Sequence, residues 1–213
     1  MMPELRNRDI AETHSPSVRP YETIKPHSDI TVSEARSFWD KERENAKEYY
    51  VQDGNIKTID DNGQEFRTAD KLLPSKKFEV NGYQYETDSE ARVISASGKL
   101  RIRDSEYNRN MENVRNKEGQ EYRQSDDRGH LIAHRFGGSD KLENLVPMDA
   151  ELNQGDYVKL ENSFDEALRN GAEVYLTVEP VYQGDSARPS EFRISYVIDG
   201  EKEVTVFRNG EVR

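Results

Sequence analysis

Beyond residue 70, short runs of this chain alternate apolar and polar residues with a period of two, the signature of half-buried strands. Lys77 to Val80 and Tyr83 to Glu86 flank Asn81-Gly82, a pair suited to a two-residue type I′ turn, and together predict a hairpin. Arg92 to Ala96 and Leu100 to Arg103 read as a second pair joined by a turn at Ser97-Gly98. Val174 to Val178, Phe192 to Val197 and Val204 to Phe207 supply three more strands. Between these groups the period changes: Asp149 to Asn170 has helical spacing and stops at Asn170-Gly171, a common helix ending.

The first 70 residues read differently. Residues 1 to 30 hold Pro3, Pro16, Pro20 and Pro26 among polar residues without periodicity, which predicts a flexible polar arm. Thr31-Val32-Ser33-Glu34 has the form of a capping box, and the helix it opens is expected to reach about Tyr50, with Ala35, Phe38, Trp39, Ala46 and Tyr49 as a partial apolar stripe. Turn signals at Asp53-Gly54 and Asp61-Asn62-Gly63 bracket a weak strand over Ile56 to Ile59. The expected organisation is an arm over 1–30, a helix-containing extension over 31–70 and a domain over 71–213. Its class is α+β.

Composition narrows the function classes. Of 213 residues, 33% are hydrophobic and 34% charged, so the core is modest and the surface heavily solvated. A formal net charge of -11 argues against a broadly basic nucleic-acid binder, whose affinity comes from neutralising phosphates. The absence of cysteine excludes disulfides and thiolate metal sites. No apolar run is long enough to span a membrane, and the first residues lack the apolar core of an ordinary signal peptide.

Candidate chemistry gathers between residues 127 and 161. Asp127-Arg128-Gly129-His130 is followed by Asn144, then Leu152-Asn153-Gln154-Gly155, then Glu161. Phosphodiester hydrolysis needs a base to deprotonate water and positive charge on the phosphoryl and leaving oxygens. A neutral imidazole suits the first task, since its unperturbed pKa of about 6.5 leaves it largely unprotonated at pH 7. His130 opens Leu131-Ile132-Ala133, an expected short strand, and Arg128 lies two residues earlier, on the same side of an extended backbone. Arg128 there either grips a phosphate with its planar fork or pairs with Asp126 or Asp127. Gly129 between them would let a substrate backbone come close. Asn153, Tyr157 and Glu161, four residues apart, share a broad helix face, where an amide oxygen and a carboxylate suit a hard cation that keeps most of its ligands as water. The same face also reads as the polar side of an ordinary amphipathic helix. His134, four residues after His130, raises zinc proteolysis, but Leu131 stands where that signature needs Glu.

Taken together, three blocks, Asp127-Arg128-Gly129-His130, Asn144-Leu145-Val146-Pro147-Met148 and Asp149 to Glu161, resemble the DNA/RNA non-specific endonucleases, the DRGH-motif enzymes of the ββα-metal (His-Me finger) superfamily. Gly129 to Gly138, Leu72-Leu73-Pro74 and Asn81 to Asp88 look like the branch found as toxin domains of bacterial polymorphic and type VII secreted effectors. The similarity covers roughly 70 to 213. It implies a central antiparallel sheet carrying a ββα-metal motif, with His130 as general base, Asn153 as protein ligand of Mg²⁺ (Mn²⁺ being a usable substitute) and Glu161 positioning the ion's waters. Arg128 would stabilise the transition state and Asn144 would orient the site. The products would carry 5′-phosphate and 3′-hydroxyl ends of DNA or RNA. Many toxin-branch members have Gly at the position of Arg128, which puts the local electrostatics in question.

Such an enzyme must gather its positive charge locally. Between 99 and 135, nine Lys/Arg stand against seven Asp/Glu. Arg101, Arg103, Arg109 and Arg123, with Lys99 and Arg115, are the candidate phosphate contacts. A toxin role implies a tight immunity protein and either secretion without an ordinary signal peptide or residence in the cytoplasm until delivery. Competing readings are a scavenging or DNA-uptake nuclease and a catalytically inactive nucleic-acid-binding module.

Overall fold

The computed structural model describes residues 48–52, 55–68, 71–103 and 121–210. The expected arm over 1–30, most of the helix begun at Thr31, and Arg109 and Arg115 lie outside them. The chain divides into two units, Met1–Leu73 and Pro74–Arg213.

In the first unit, β1 (Glu48–Gln52), β2 (Asn55–Ile59), β3 (Glu65–Thr68) and β4 (Lys71–Leu72) form a four-stranded antiparallel sheet in sequence order. Glu48 to Tyr50, the end of the expected helix, is therefore strand. Tyr49, Tyr50 and Val51 are strand formers, and the two residues separating the paired Gln52 and Asn55 are Asp-Gly, a strong hairpin signal. The turn expected at Asp61 to Gly63 is present: the Asp60 carboxylate accepts from the backbone N–H of Asn62 (2.9 Å) and Gln64 (2.7 Å), and Gly63 has φ +79°.

The second unit is built on a six-stranded antiparallel sheet. Its members are β5 (Lys77–Val80), β6 (Tyr83–Thr87), β7 (Val93–Lys99), β10 (Val174–Val181), β11 (Glu191–Ile198) and β12 (Glu201–Arg208), in the order β12-β11-β10-β7-β6-β5. The Asn81-Gly82 turn falls where expected, with φ of +57° and +75° at its two residues, as a type I′ turn requires. The turn expected at Ser97-Gly98 is absent, and β7 runs straight through it to Lys99. Gly98 has a packing reason instead: a Cβ there would lie 2.7 Å from the ring of the fully buried Tyr83.

Neighbouring strands β7 and β10 pair directly, Tyr175 opposite Lys99, yet more than 70 residues separate them in sequence. That excursion contains a second, two-stranded sheet, β8 (Asp126–His130) with β9 (Leu145–Asp149), and then a continuous helical segment. The segment consists of α1 (Ala150–Leu152), a π-turn (Asn153–Tyr157) and α2 (Val158–Arg169). Asp149 caps its start by accepting from the N–H of Glu151 at 3.0 Å. The helical segment docks on the large sheet through aromatic side chains. Phe164 packs edge-on against Tyr196 (ring centroids 4.9 Å apart), and the buried Tyr157 meets Phe192 (6.2 Å) and Phe207 (6.1 Å). Burying each such ring contributes on the order of 2–3 kcal/mol.

Candidate active site

Strand β8 is buried along almost its whole length, with only Asp127 half-exposed. Arg128 and His130 are buried, with 8% and 6% of their surface exposed. His130 ends the strand, where it had been expected to open one. The backbone leaves the ladder immediately afterwards because Asn144 captures it: Leu131 N–H donates to the Asn144 carbonyl (2.9 Å) and Ile132 N–H to its side-chain oxygen (2.9 Å). The Asn144 amide nitrogen in turn donates to the carbonyls of Ile132 and Ser139, each at 2.8 Å. Fully buried, Asn144 ties both ends of the 131–139 turn together. Gly138 makes this closure feasible, since a Cβ there would fall 1.8 Å from the Ile132 carbonyl oxygen.

The close approach expected of Gly129 is filled from within the protein. A Cβ at that position would lie 2.6 Å from the Cβ of the buried Met148, so the missing side chain admits the facing strand rather than a substrate. The start of β8 is clamped as well. Arg188 donates two hydrogen bonds of 2.7 Å to the Asp126 carboxylate and one of 2.8 Å to the Asn209 carbonyl. The Asn209 side chain bonds the Asp149 N–H and the Pro147 carbonyl of β9. Burial alone would raise the Asp126 carboxyl, but the hydrogen bonds and charge of Arg188, with the Arg123 N–H, outweigh it and hold Asp126 below its ordinary value.

The helical segment meets β8 and the following turn at points four residues apart. Asn153 donates its amide nitrogen to Asp127 (3.0 Å), the Tyr157 hydroxyl donates to the Leu131 carbonyl (2.9 Å), and Glu161 receives Arg135 (3.3 Å). Asn153, Tyr157 and Glu161 thus do share one face, directed at this chain segment. Gln154 also donates to Asp127 (2.9 Å), so a single carboxylate oxygen orients two amides. The π-turn that holds Asn153 and Gln154 was not legible in the sequence, although π-turns often mark functional positions.

Around Arg128 the structure adds Tyr122 and Glu143. Burial pulls the guanidinium down from its ordinary value, while the Tyr122 hydroxyl, hydrogen-bonded to it, and the Glu143 charge push it back up. Tyr122 is itself pushed up to about 12, chiefly by burial, and stays a neutral hydroxyl at pH 7. His130 Nε2 lies 2.7 Å from Asp140 Oδ1, and Asp140 Oδ2 lies 3.5 Å from His134 Nε2. Asp140, Tyr122, Arg135 and the Arg188–Asn209 clamp escaped the sequence reading. Asp140 has no periodic pattern to mark it, and Arg188 stands 62 residues from its partner.

The candidate phosphate contacts are placed unevenly. Arg101 stacks over the Tyr83 ring (5.3 Å) and donates to the Asn81 carbonyl. Lys99 is paired with Glu173, Arg103 is half-buried, and Arg123 is exposed.

A family profile described as DNA/RNA non-specific endonuclease matches residues 74–200. The chain is 32% identical over 169 residues to the type VII secretion system protein EssD of Staphylococcus aureus (strain USA300), covering 73% of this chain and 26% of that protein. It therefore spans about a quarter of the length of that relative. Among solved structures, NucA from Streptococcus agalactiae with magnesium ion bound superposes with a TM-score of 0.50 at 17% identity, covering 85% of this chain and 93% of the other. That likeness extends to the fold: antiparallel sheets with the hairpin and helix described above. The Sda1 nuclease with bound zinc ion gives a TM-score of 0.49, also at 17% identity, over 82% of this chain and 93% of that one.

Proposed function

The chain belongs to the DNA/RNA non-specific endonuclease family, and on that premise we propose that it hydrolyses phosphodiesters at the β8–β9–helix unit with His130 as general base and Asn153 as the ligand of a divalent cation. The observation that carries this reading is the Asn153–Asp127 hydrogen bond. Asp127 takes the amide nitrogen, so the amide oxygen is left as the donor that a cation needs, on the helix beside the strand that ends in His130. The donor set fits a hard ion. An amide oxygen is a hard ligand, of the kind an ion that keeps most of its waters accepts. Mg²⁺ is the ion proposed, with Mn²⁺ as a substitute.

The protein groups then divide the work. His130 takes a proton from water as its oxygen attacks phosphorus, the bond to the 3′ oxygen breaks, that oxygen takes up a proton from a solvent water, and the products carry 5′-phosphate and 3′-hydroxyl ends. A cation held at Asn153 would supply positive charge to the scissile phosphate and its leaving oxygen. Arg128, a cation at pH 7, adds its charge from the same side of β8 as His130. Glu161 is held by Arg135 for ordering water, and Asn144 keeps the turn that fixes the end of β8. Arg123 offers an exposed phosphate contact. The similarity to a type VII secretion system protein supports a secreted antibacterial effector, and a producing cell then needs an immunity protein covering the cleft.

The test is plasmid DNA and single-stranded RNA incubated with the purified chain, in Mg²⁺ or in EDTA, alongside His130→Ala and Asn153→Ala. Expected are cleavage in Mg²⁺, none in EDTA, loss in His130→Ala, and partial recovery of Asn153→Ala at high Mg²⁺. Equal cleavage by wild type and His130→Ala, or full activity in EDTA, overturns the mechanism.

A further inference from the structure

The His130 imidazole does not stand alone. Its Nε2 is 2.7 Å from Oδ1 of Asp140, whose side chain is completely buried, and the carboxylate's other oxygen is 3.5 Å from Nε2 of His134. The two rings lie 6.5 Å apart. An ionised carboxylate can only accept hydrogen bonds, so the nitrogen facing it at 2.7 Å must carry a proton. A neutral imidazole has one N–H. If Nε2 holds it, Nδ1 carries no proton and becomes the basic atom.

The position of Asp140 is fixed through its neighbours' hydrogen bonds. Ser139 before it has its carbonyl held by Asn144 (2.8 Å), and Lys141 after it donates its N–H to Ser139 Oγ (3.1 Å). The Lys141 carbonyl accepts from the N–H groups of Asn144 and Leu145, both at 3.0 Å. Ser139 Oγ also donates to the buried Glu143. The 139–145 segment is therefore tied to the residue that opens β9, opposite His130 in the ladder. Carboxylate and ring are anchored to the same hairpin, one through the loop and the other through the strand.

We propose that Asp140 is the positioning residue of the reaction: it fixes the proton on His130 Nε2 and so makes Nδ1 the atom that takes the proton from water. This rests on the reading of His130 as general base. Asp140 touches neither water nor phosphate in that step. After the transfer the ring carries protons on both nitrogens, and the carboxylate beside it stabilises the resulting imidazolium.

The test combines spectroscopy with kinetics on the full chain. Long-range ¹H–¹⁵N correlation of histidine-labelled protein reports which ring nitrogen bears the proton, with or without activity. Wild type is expected to show His130 as the Nε2–H tautomer. Asp140→Asn, whose amide can donate to Nε2, is expected to shift His130 towards Nδ1–H and to lower kcat by about 10²–10⁴-fold while KM changes by less than about threefold. A role confined to folding would not move the tautomer. Should Asp140→Asn fail to fold, the wild-type tautomer decides: Nδ1–H overturns the proposal and Nε2–H supports it. If His130→Ala is inactive while a folded Asp140→Asn keeps wild-type kcat, this proposal alone falls. If His130→Ala is fully active, the general-base reading and the proposal fall together.

Discussion

Replacing Arg188 with leucine should cost this fold more than almost any other single change far from His130. Its guanidinium makes two hydrogen bonds of 2.7 Å to Asp126 and a third of 2.8 Å to the Asn209 carbonyl, with 7% of the Arg188 side chain and none of the Asp126 side chain exposed. Solvent screening is thus slight. Removing one member of a buried ion pair strands the other charge in a poorly polar interior, at a cost of about 3–5 kcal/mol. For a domain of this size each kcal/mol lowers Tm by roughly 2–4 °C, so a drop of about 6–20 °C is expected. The measurement is thermal unfolding followed by circular dichroism at pH 7. The double variant Asp126→Leu/Arg188→Leu, which removes both charges, should melt above Arg188→Leu alone. A drop below about 3 °C for the single variant, or strictly additive losses, would refute the reasoning.

The same pair predicts an acid response. Asp126 sits below its ordinary value in the folded protein, so its contribution is present above the unfolded carboxyl pKa of about 4 and fades as pH falls through the lower folded value. The wild-type melting temperature should fall below about pH 4 more steeply than that of the double variant, and parallel curves would count against it. Gly129→Ala should destabilise by about 1–3 kcal/mol, because its Cβ must displace Met148, and denaturant unfolding reads the shift. Recovery in Gly129→Ala/Met148→Ala would place the strain between those two residues. Asn144→Ala should cost at least about 2 kcal/mol by leaving the Ile132 N–H and two carbonyls unmatched in a buried turn; unchanged stability would mean that water replaces the amide. Cleavage should fall steeply with salt if Arg123 and the other cations between 99 and 135 hold phosphates, and a nearly flat profile would remove them from the substrate path.

What the sequence disclosed was local. Asn81-Gly82 declared its turn because left-handed backbone at two successive residues restricts the choice of residue. Alternation declared β10 to β12, and the helix declared its start and end. The errors arose where distant partners decide. Ser97-Gly98 has the composition of a turn, but Gly98 serves the ring of Tyr83 in a through-running strand. Gly129 sits in a motif that suggests substrate approach, yet it accommodates Met148. Glu48 to Tyr50 falls at the end of the expected helix, yet there the chain pairs with Lys57 to Ile59. At the site, residue types and their spacing nominate candidate groups, and the structure brings Asn153, Tyr157 and Glu161 against β8 and the turn after it. The groups that hold β8 and His130 could not be nominated that way, since Asp140, Arg188 and Asn209 reach their partners only through the completed fold.

Those holding groups also bear on the charge problem posed by a net -11. A carboxylate near a scissile phosphate repels it, and this site contains several. Each of them engages a donor. Asp126 receives Arg188, Asp127 receives the amides of Asn153 and Gln154, Asp140 faces His130, Glu143 accepts from Ser139, and Glu161 receives Arg135. Three of these donors are neutral amides or a hydroxyl, so hydrogen bonding offsets only part of the repulsion, and net negative charge remains around the helix start. On the proposed reading, a divalent cation held at Asn153 would neutralise these carboxylates and attract the phosphate. The acidic composition and the proposed metal site would then belong to one arrangement: carboxylates orient the candidate catalytic groups, and a bound cation would make their proximity to a phosphate tolerable.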